Sequence, residues 1–559
     1  MRRFLLTAVC LLTMMSPAAL ATDFLKGKIL KIDLEGPVTE RGGGSVSLTT
    51  GGLSSTKTVS LLQLERAISK ASTDSKIAMI FLYLDHFSGD MAATEELRAC
   101  LKAFSEAGKP VVAYAASLSN GSFYLGSVAD RLFMYPQGEG SLNGLGSTQF
   151  FLKDLLDTLD IEVQLIRHGK FKSAGEMYIR NDISPENRKQ YEELLGSIWS
   201  GFTNEMAESR GLTPEAINAM ADGLTLSTAQ SWLDAGLVDG LKYRDEMEQY
   251  LCRLFGTNRP SDVKTVKISD YIESLRKGPA SKKIAVIYAE GEIVRSGGDI
   301  VGEKLARTIA EVRADSTVKA VVFRVNSPGG EVVAADMIRR EIELTQKVKP
   351  VVASYGGYAA SGGYLISAGC HKIFTDYATL TGSIGVFGMI PSFGKAIKEH
   401  LHVTPVQIGT NAHSGMAQGM APLSQEELDW YQAEIEGIYD NFVGVVSEGR
   451  RMSTEAVDEI AQGRVWSGAD AIRLGLADKQ GTLLDALDYA ASMIGTKPAE
   501  SYRIAAYPAK KSLADELFGR DKEDKKAPLV RLQNQLRPGL NIMALAPFIV
   551  IENSLNDYE

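Results

Sequence analysis

Two glycine-rich segments stand directly after β-branched runs in the second half of the chain. Asn326-Ser327-Pro328-Gly329-Gly330 follows Ala320-Val321-Val322-Phe323-Arg324-Val325. Gly356-Gly357-Tyr358-Ala359-Ala360-Ser361-Gly362-Gly363-Tyr364 follows Val351-Val352-Ala353-Ser354. Glycine lets a backbone approach a ligand closely and leaves its N–H free to point there. Two such loops converging would offer amides to a developing oxyanion, here those of Gly330 and Gly362. A serine in the second loop, opening a helix, would stand exposed as a nucleophile with the next amide facing the same oxygen. Each pattern alone is ordinary: serine between glycines caps helices and turns, and Asn-Ser-Pro-Gly-Gly is a plain turn sequence.

A nucleophilic serine needs a base. His371 lies shortly after Ser361, and His413 is better placed, but neither comes with a suitably positioned Asp. Lysine is the other option. Burial lowers an amine's pKa by disfavouring its charged form, and a neutral lysine can take the seryl proton directly. The dense lysine segment is Arg167-His168-Gly169-Lys170-Phe171-Lys172-Ser173-Ala174-Gly175-Glu176. On composition alone it reads as a solvated loop, so the residues by themselves leave the base open.

The elements that would carry these groups are written twice. Lys109-Pro110-Val111-Val112-Ala113 recurs as Lys349-Pro350-Val351-Val352-Ala353, and Tyr124-Leu125 recurs as Tyr364-Leu365. Ala235-Gly236-Leu237-Val238-Asp239 resembles Leu474-Gly475-Leu476-Ala477-Asp478, and Lys28-Ile29-Leu30 pairs with Lys283-Ile284-Ala285. Matches in the same order mean a duplicated unit. Within a unit, short apolar runs alternate with helical periodicity, as in Val332 to Lys347. That order predicts an α/β fold of βαβ units, with a parallel sheet and helices on its faces. The first copy is expected at about 28–250, a Pro-, Ser- and Lys-rich link at 251–282, the second copy at 283–500 and a tail at 501–559. In the tail, 519–526 is a charge run expected to be solvated. Its apolar stretch from Ile542 to Ile551 is too short to span a bilayer and is expected to pack on the core or on a neighbour.

Bulk properties narrow the field. At 559 residues the chain exceeds one ordinary core. With 45% hydrophobic and 23% charged residues it is globular, neither disordered nor a polytopic membrane protein. A net charge of −9 without a basic stripe disfavours nucleic acid as a partner. Met1-Arg2-Arg3, the apolar run Phe4 to Met15 and Ser16-Pro17-Ala18-Ala19-Leu20-Ala21 have the layout of an export signal at 1–21, with cleavage expected after Ala21. The alternative is a retained anchor, for which the run is short of the ~20 apolar residues a span needs. Beyond Cys10, the widely spaced Cys100, Cys252 and Cys370 suit neither a disulfide framework nor zinc. Cys370 reads as a buried small hydrophobe. With no HExxH motif, a metalloprotease is unsupported. No cofactor or metal is expected.

Taken together and in order, the export signal, the tandem repeat, Ser327-Pro328-Gly329-Gly330, Ala360-Ser361-Gly362-Gly363-Tyr364 and Lys170-Phe171-Lys172-Ser173-Ala174 resemble the long form of the signal peptide peptidase A family, also called protease IV. The resemblance spans nearly the whole chain after residue 21. It implies two tandem Clp-protease/crotonase-like domains, each a ββα superhelix, and a serine endopeptidase with a Ser/Lys dyad. The nucleophile falls on Ser361 and the general base on Lys172 rather than Lys170. Gly330 falls on the oxyanion glycine, and Ser383, in Thr381-Gly382-Ser383-Ile384-Gly385, is placed to orient the lysine. The first copy has Gly121 where the second has Ser361, and the second has about His413 where the first has Lys172, so each copy completes the other. The resemblance further implies a ring or bowl, a tetramer in the long form. Its substrates would be extended apolar peptides, including signal peptides, on the periplasmic side of a bacterial envelope, with a membrane surface nearby. Two rivals of other classes are a crotonase-like acyl-CoA enzyme, which would need a CoA site and an acidic residue in the second loop, and a non-catalytic envelope scaffold.

Overall fold

The computed structural model describes residues 24–34, 36–49, 52–275, 281–416, 418–509 and 541–545. The export signal, Cys10 and the charge run at 519–526 lie outside the described residues.

In the first copy, β1 (Lys28–Asp33), β2 (Ile77–Tyr83), β3 (Val111–Leu118) and β4 (Arg131–Gly140) lie side by side, all parallel. Ile77-Ala-Met-Ile-Phe-Leu-Tyr is apolar almost throughout, as a parallel strand covered on both faces must be. The connections are helical: α1 (Leu61–Thr73), α2 (Met91–Glu106) and α3 (Asn120–Gly126). Asp90 caps α2 by accepting from the Ala93 amide at 2.7 Å, and Ser119 and Ser122 form a capping box at the start of α3. Thr265–Lys267, from the stretch between the copies, extends the sheet beside β1. Strand β5 (Glu162–Arg167) leaves this sheet altogether.

The second copy repeats the plan. β6 (Lys283–Glu290) and β7 (Ile293–Val294) precede α4 (Gly302–Ala314), β8 (Val318–Ser327), β9 (Gly329–Glu331), α5 (Val332–Gln346), β10 (Val351–Ala360) and α6 (Gly362–Leu365). Then come β11 (Leu380–Gly382), β12 (Phe387–Ser392), β13 (Val465–Ser467), β14 (Arg503–Tyr507) and β15 (Asn541–Leu545). The main sheet runs β13-β11-β10-β8-β6-β14 and is parallel except for β13 against β11.

Two stretches read as loops are strand instead. The β10 strand continues through Gly356 and Gly357 to Ala360, and Gly329-Gly330 belongs to the short strand β9. At Gly356 a Cβ would come 2.4 Å from Glu40 Oε1. This glycine serves close packing between the copies.

The copies are interleaved. β5 of the first pairs antiparallel with β12 of the second, from Arg167 opposite Phe387 to Glu162 opposite Ser392. Ile166 is buried in the second core, while Leu380 and Val465 are buried in the first. This mixed sheet runs β7-β9-β15-β12-β5, so the tail residues 541–545 form an inserted strand. The remainder of the apolar tail stretch, 546–551, lies outside the described residues. Among the described residues, no helix is long and apolar enough to cross a membrane.

Candidate active site

Ser361 directly follows β10 and immediately precedes α6. Its backbone is left-handed, with φ 55° and ψ −117°, and its side chain caps nothing. The matching junction in the first copy is relaxed: Ser119 has φ −101° and its hydroxyl accepts from the Ser122 amide. A non-glycine residue at positive φ is strained by about 1–3 kcal/mol and persists only where its surroundings hold it. Here the Ser361 amide donates to the Gly382 carbonyl of β11 at 2.8 Å. At this backbone the hydroxyl makes no bond to the helix amides and meets Lys172 instead.

Lys172 reaches this hydroxyl from the other copy. The β5–β12 pairing carries the chain across, and the His168 amide extends it by donating to the Val386 carbonyl at 3.1 Å. Lys172 Nζ lies 2.8 Å from Ser361 Oγ, 3.0 Å from Ser383 Oγ and 3.2 Å from the Ser383 carbonyl oxygen. All three side chains have 0% exposure. Burial alone holds the Lys172 amine well below its usual pKa, with no carboxylate pulling it back up. A neutral amine has two N–H groups and one lone pair. The Ser383 carbonyl can only accept and takes one N–H, and Ser383 Oγ takes the other. The lone pair is left for the Ser361 proton.

Ser383 is itself at positive φ, 48°, after Gly382 at 75°. Gly330, on β9 with φ 150°, stands so close to Ile293 that a Cβ would come 1.9 Å from its carbonyl oxygen. Helix α6, which opens at Gly362, packs on β9. Thus both glycines named as amide donors flank the same end of the sheet as Ser361.

The other bases considered lie elsewhere. His413 is exposed and pairs with Glu427 at 3.1 Å, and His371 meets the Val351 backbone. Lys170 is exposed, with its ammonium over the Phe171 ring. Cys370 is buried, and Cys100, Cys252 and Cys370 are free thiols.

Sequence reasoning missed what holds the lysine. The turn Gln462-Gly463-Arg464 touches Lys172 on one side and Ser383 on the other. The Phe171 amide donates to the Gln462 carbonyl at 3.0 Å, and the Ser383 amide donates to the Arg464 carbonyl at 2.6 Å. Arg167 Nη1 donates to the Lys172 carbonyl at 2.7 Å and to the buried Glu176 at 3.1 Å. The only local signal was a glycine after a helix end, which is ordinary C-terminal punctuation.

Comparison with known proteins identifies the family. The pattern of peptidase family S49 matches residues 103–255 and 343–497, one segment in each copy. Protease 4 of Haemophilus influenzae is 35% identical over 457 residues, covering 78% of this chain and 74% of that protein. Protease 4 of Salmonella typhi is 36% identical over 453 residues, covering 78% and 72%. The chloroplastic serine protease SPPA of Arabidopsis thaliana is 31% identical over 475 residues, covering 83% and 68%. With the family pattern met in both copies and similarity running through most of each relative, the chain belongs to peptidase family S49.

Proposed function

We propose that this S49 serine peptidase works through a Ser/Lys dyad split between its two copies, with Ser361 as nucleophile and Lys172 as general base. The observation that carries the reading is the 2.8 Å approach of a wholly buried lysine amine to a wholly buried, conformationally strained serine. As Ser361 Oγ bonds to the scissile carbonyl carbon, its proton passes to Lys172 Nζ. The carbonyl π pair moves onto oxygen, where the amides of Gly330 and Gly362 receive it. Collapse expels the amine, which takes the proton back from Lys172 and leaves an acyl group on Ser361. Water then repeats the sequence, with Lys172 again accepting and returning the proton.

Extended apolar peptides, cleaved signal peptides among them, are the proposed substrates, each binding as an added strand. The export signal read at 1–21 supports action on the periplasmic side of a bacterial envelope, close to the membrane. The two copies are proposed as tandem Clp-protease/crotonase-like units whose chains assemble as a ring or bowl, a tetramer.

The test is hydrolysis of an apolar fluorogenic peptide by the natural chain, Ser361→Ala and Lys172→Ala, each checked for folding and assembly. Loss of roughly 10⁴-fold or more in both variants is expected. An active Lys172→Ala chain would move the base elsewhere, and two fully active variants would overturn the reading.

A further inference from the structure

The loop that carries Lys172 is braced from a distance by one phenol. Tyr439 is buried and stands on the long helix Gln425–Arg450 of the second copy. That helix is docked along β5. Just before it, the Leu423 backbone exchanges two bonds with the Gln164 side chain, at 2.7 and 3.1 Å. Further along, Gln432 Nε2 donates to the Arg167 carbonyl at 3.4 Å, and Glu436 meets His168 Nδ1 at 2.5 Å. Tyr439 follows within a turn, its ring stacked on the His168 imidazole with centroids 3.6 Å and planes 18° apart.

The hydroxyl of the same residue reaches the turn against Lys172. It donates to Asp458, on the helix Thr454–Ile460, and accepts from the Gln462 amide and from Gln462 Nε2, both at 3.4 Å. Gln462 Nε2 also donates to Asp458 at 2.6 Å. Burial and the Asp458 carboxylate both raise the Tyr439 pKa, so the phenol keeps its proton and remains a donor. These bonds hold Gln462 at φ 54°, a backbone that is costly for a residue other than glycine. From there the Gln462 carbonyl accepts from the Phe171 amide, Gly463 lies on Lys172, and the Arg464 carbonyl accepts from the Ser383 amide. Three consecutive residues thus touch both sides of the amine, and the phenol is bonded to the first of them.

We propose that Tyr439 is a positioning residue for Lys172, its ring supporting the loop at His168 and its hydroxyl fixing the Gln462 turn. The inference rests on the Lys172 reading above and goes beyond it in naming what fixes the amine's place. Tyr439 acts through the turn and not on a reacting atom. Tyr439→Phe keeps the stacked ring and leaves both Gln462 donors short of an acceptor.

The experiment uses full chains: natural, Lys172→Ala, Tyr439→Phe, Gln462→Ala and the last two combined. A fluorophosphonate probe counts active sites, so unfolded chains drop out of the per-site rates, and an apolar fluorogenic peptide gives kcat, KM and the pH profile. About 1 Å of misplacement costs on the order of 10²-fold, so partial release by Tyr439→Phe is expected to lower per-site kcat about tenfold with KM unchanged. Burial is what lowers the Lys172 pKa, so a loosened amine should move the acid limb of kcat/KM up by about one pH unit. The combined variant should be no worse than Tyr439→Phe alone, because both changes act through one turn. Should Tyr439→Phe fail to fold, Gln462→Ala is expected to lower kcat and move the limb in the same sense. Full per-site kcat with an unmoved limb, or losses that simply add, would overturn the proposal. If that occurs while Lys172→Ala is inactive, the dyad stands without Tyr439. A fully active Lys172→Ala chain would instead overturn the dyad, and this inference with it.

Discussion

Gly463 of the second copy lies against the backbone of Lys172 of the first. A Cβ on Gly463 would come 2.5 Å from the Lys172 Cβ and 2.7 Å from its amide nitrogen, and the glycine has φ 76°. The contact is reciprocated at Gly169, with φ 95°, where a Cβ would meet the Gln462 carbonyl oxygen at 2.4 Å. Two glycines therefore let two loops from different copies interlock, and the lysine's position is set by that lock.

Gly463→Ala should displace Lys172 without removing it. A shift of about 1 Å in a reacting group costs on the order of 10²-fold in rate. The expected result is a kcat about 10²-fold down, KM little changed and a stability loss of about 1–3 kcal/mol from overpacking. Steady-state kinetics alongside thermal unfolding checks this. A fully active Gly463→Ala chain would show that the lock does not position the base.

The proposed base would work only when neutral, so kcat/KM should fall tenfold per pH unit below the lowered pKa of Lys172 and level off above it. Lys172→Arg should be inactive throughout, since guanidinium keeps its proton. Ser383→Ala removes an acceptor that favours the charged amine, so its acid limb should move to lower pH, with kcat about tenfold down. A pH–rate series on the three chains decides the point. An acid limb that ignores Ser383 would separate that serine from the lysine's titration.

Stability should run against activity at alkaline pH. Between the copies, Arg324 donates to Glu40 at 2.8 Å and to Glu96 at 2.5 Å, with Glu65, Glu95 and Asp376 also buried nearby. Burial raises Glu40 to about 7 and Glu95 to about 8. Burial and the neighbouring Glu96 push Glu65 and Asp376 well up. Carboxyls raised in the folded state hold protons that the unfolded chain has released. Their contribution to stability is complete below the ordinary carboxylate range and is lost as pH rises through about 8. Lys172, lowered on folding, acts in the opposite sense as a single group. Glu65→Gln should therefore stabilise by about 1 kcal/mol at pH 8, a Tm rise of about 2 °C, and do nothing at pH 4.5. Calorimetry at the two values checks it, and an equal shift at both would assign the effect to packing.

The site was legible in the sequence where its chemistry is local. Ser361 shows itself by standing between a β-branched run and paired glycines, and Lys172 by standing in a dense lysine segment whose meaning came from the family resemblance. The duplication, and hence the parallel α/β plan, was open to reading because each copy preserves the same strand-opening words. What escaped is what depends on distant contact. Gly463 resembles any glycine after a helix. Glu95 and Glu96 of α2 are covered by the second copy, where they accept from the Ala378 and Leu483 amides, and Gly356-Gly357 looks like a loop until Glu40 is found against it. His413 sits near the lysine's position by alignment, yet the fold leaves it on the surface.

The crossing of β5 onto β12 has a consequence for the protein's life before it is whole. On the proposed dyad, a chain emerging N-terminus first carries its base long before its nucleophile exists, and the nucleophile's supporting strands come later still. Neither copy would then attack a peptide until the other has docked, and partly made or partly unfolded chains would be harmless to their neighbours. Latency of the kind other peptidases obtain from a removable pro-segment would here be a property of the chain's own order.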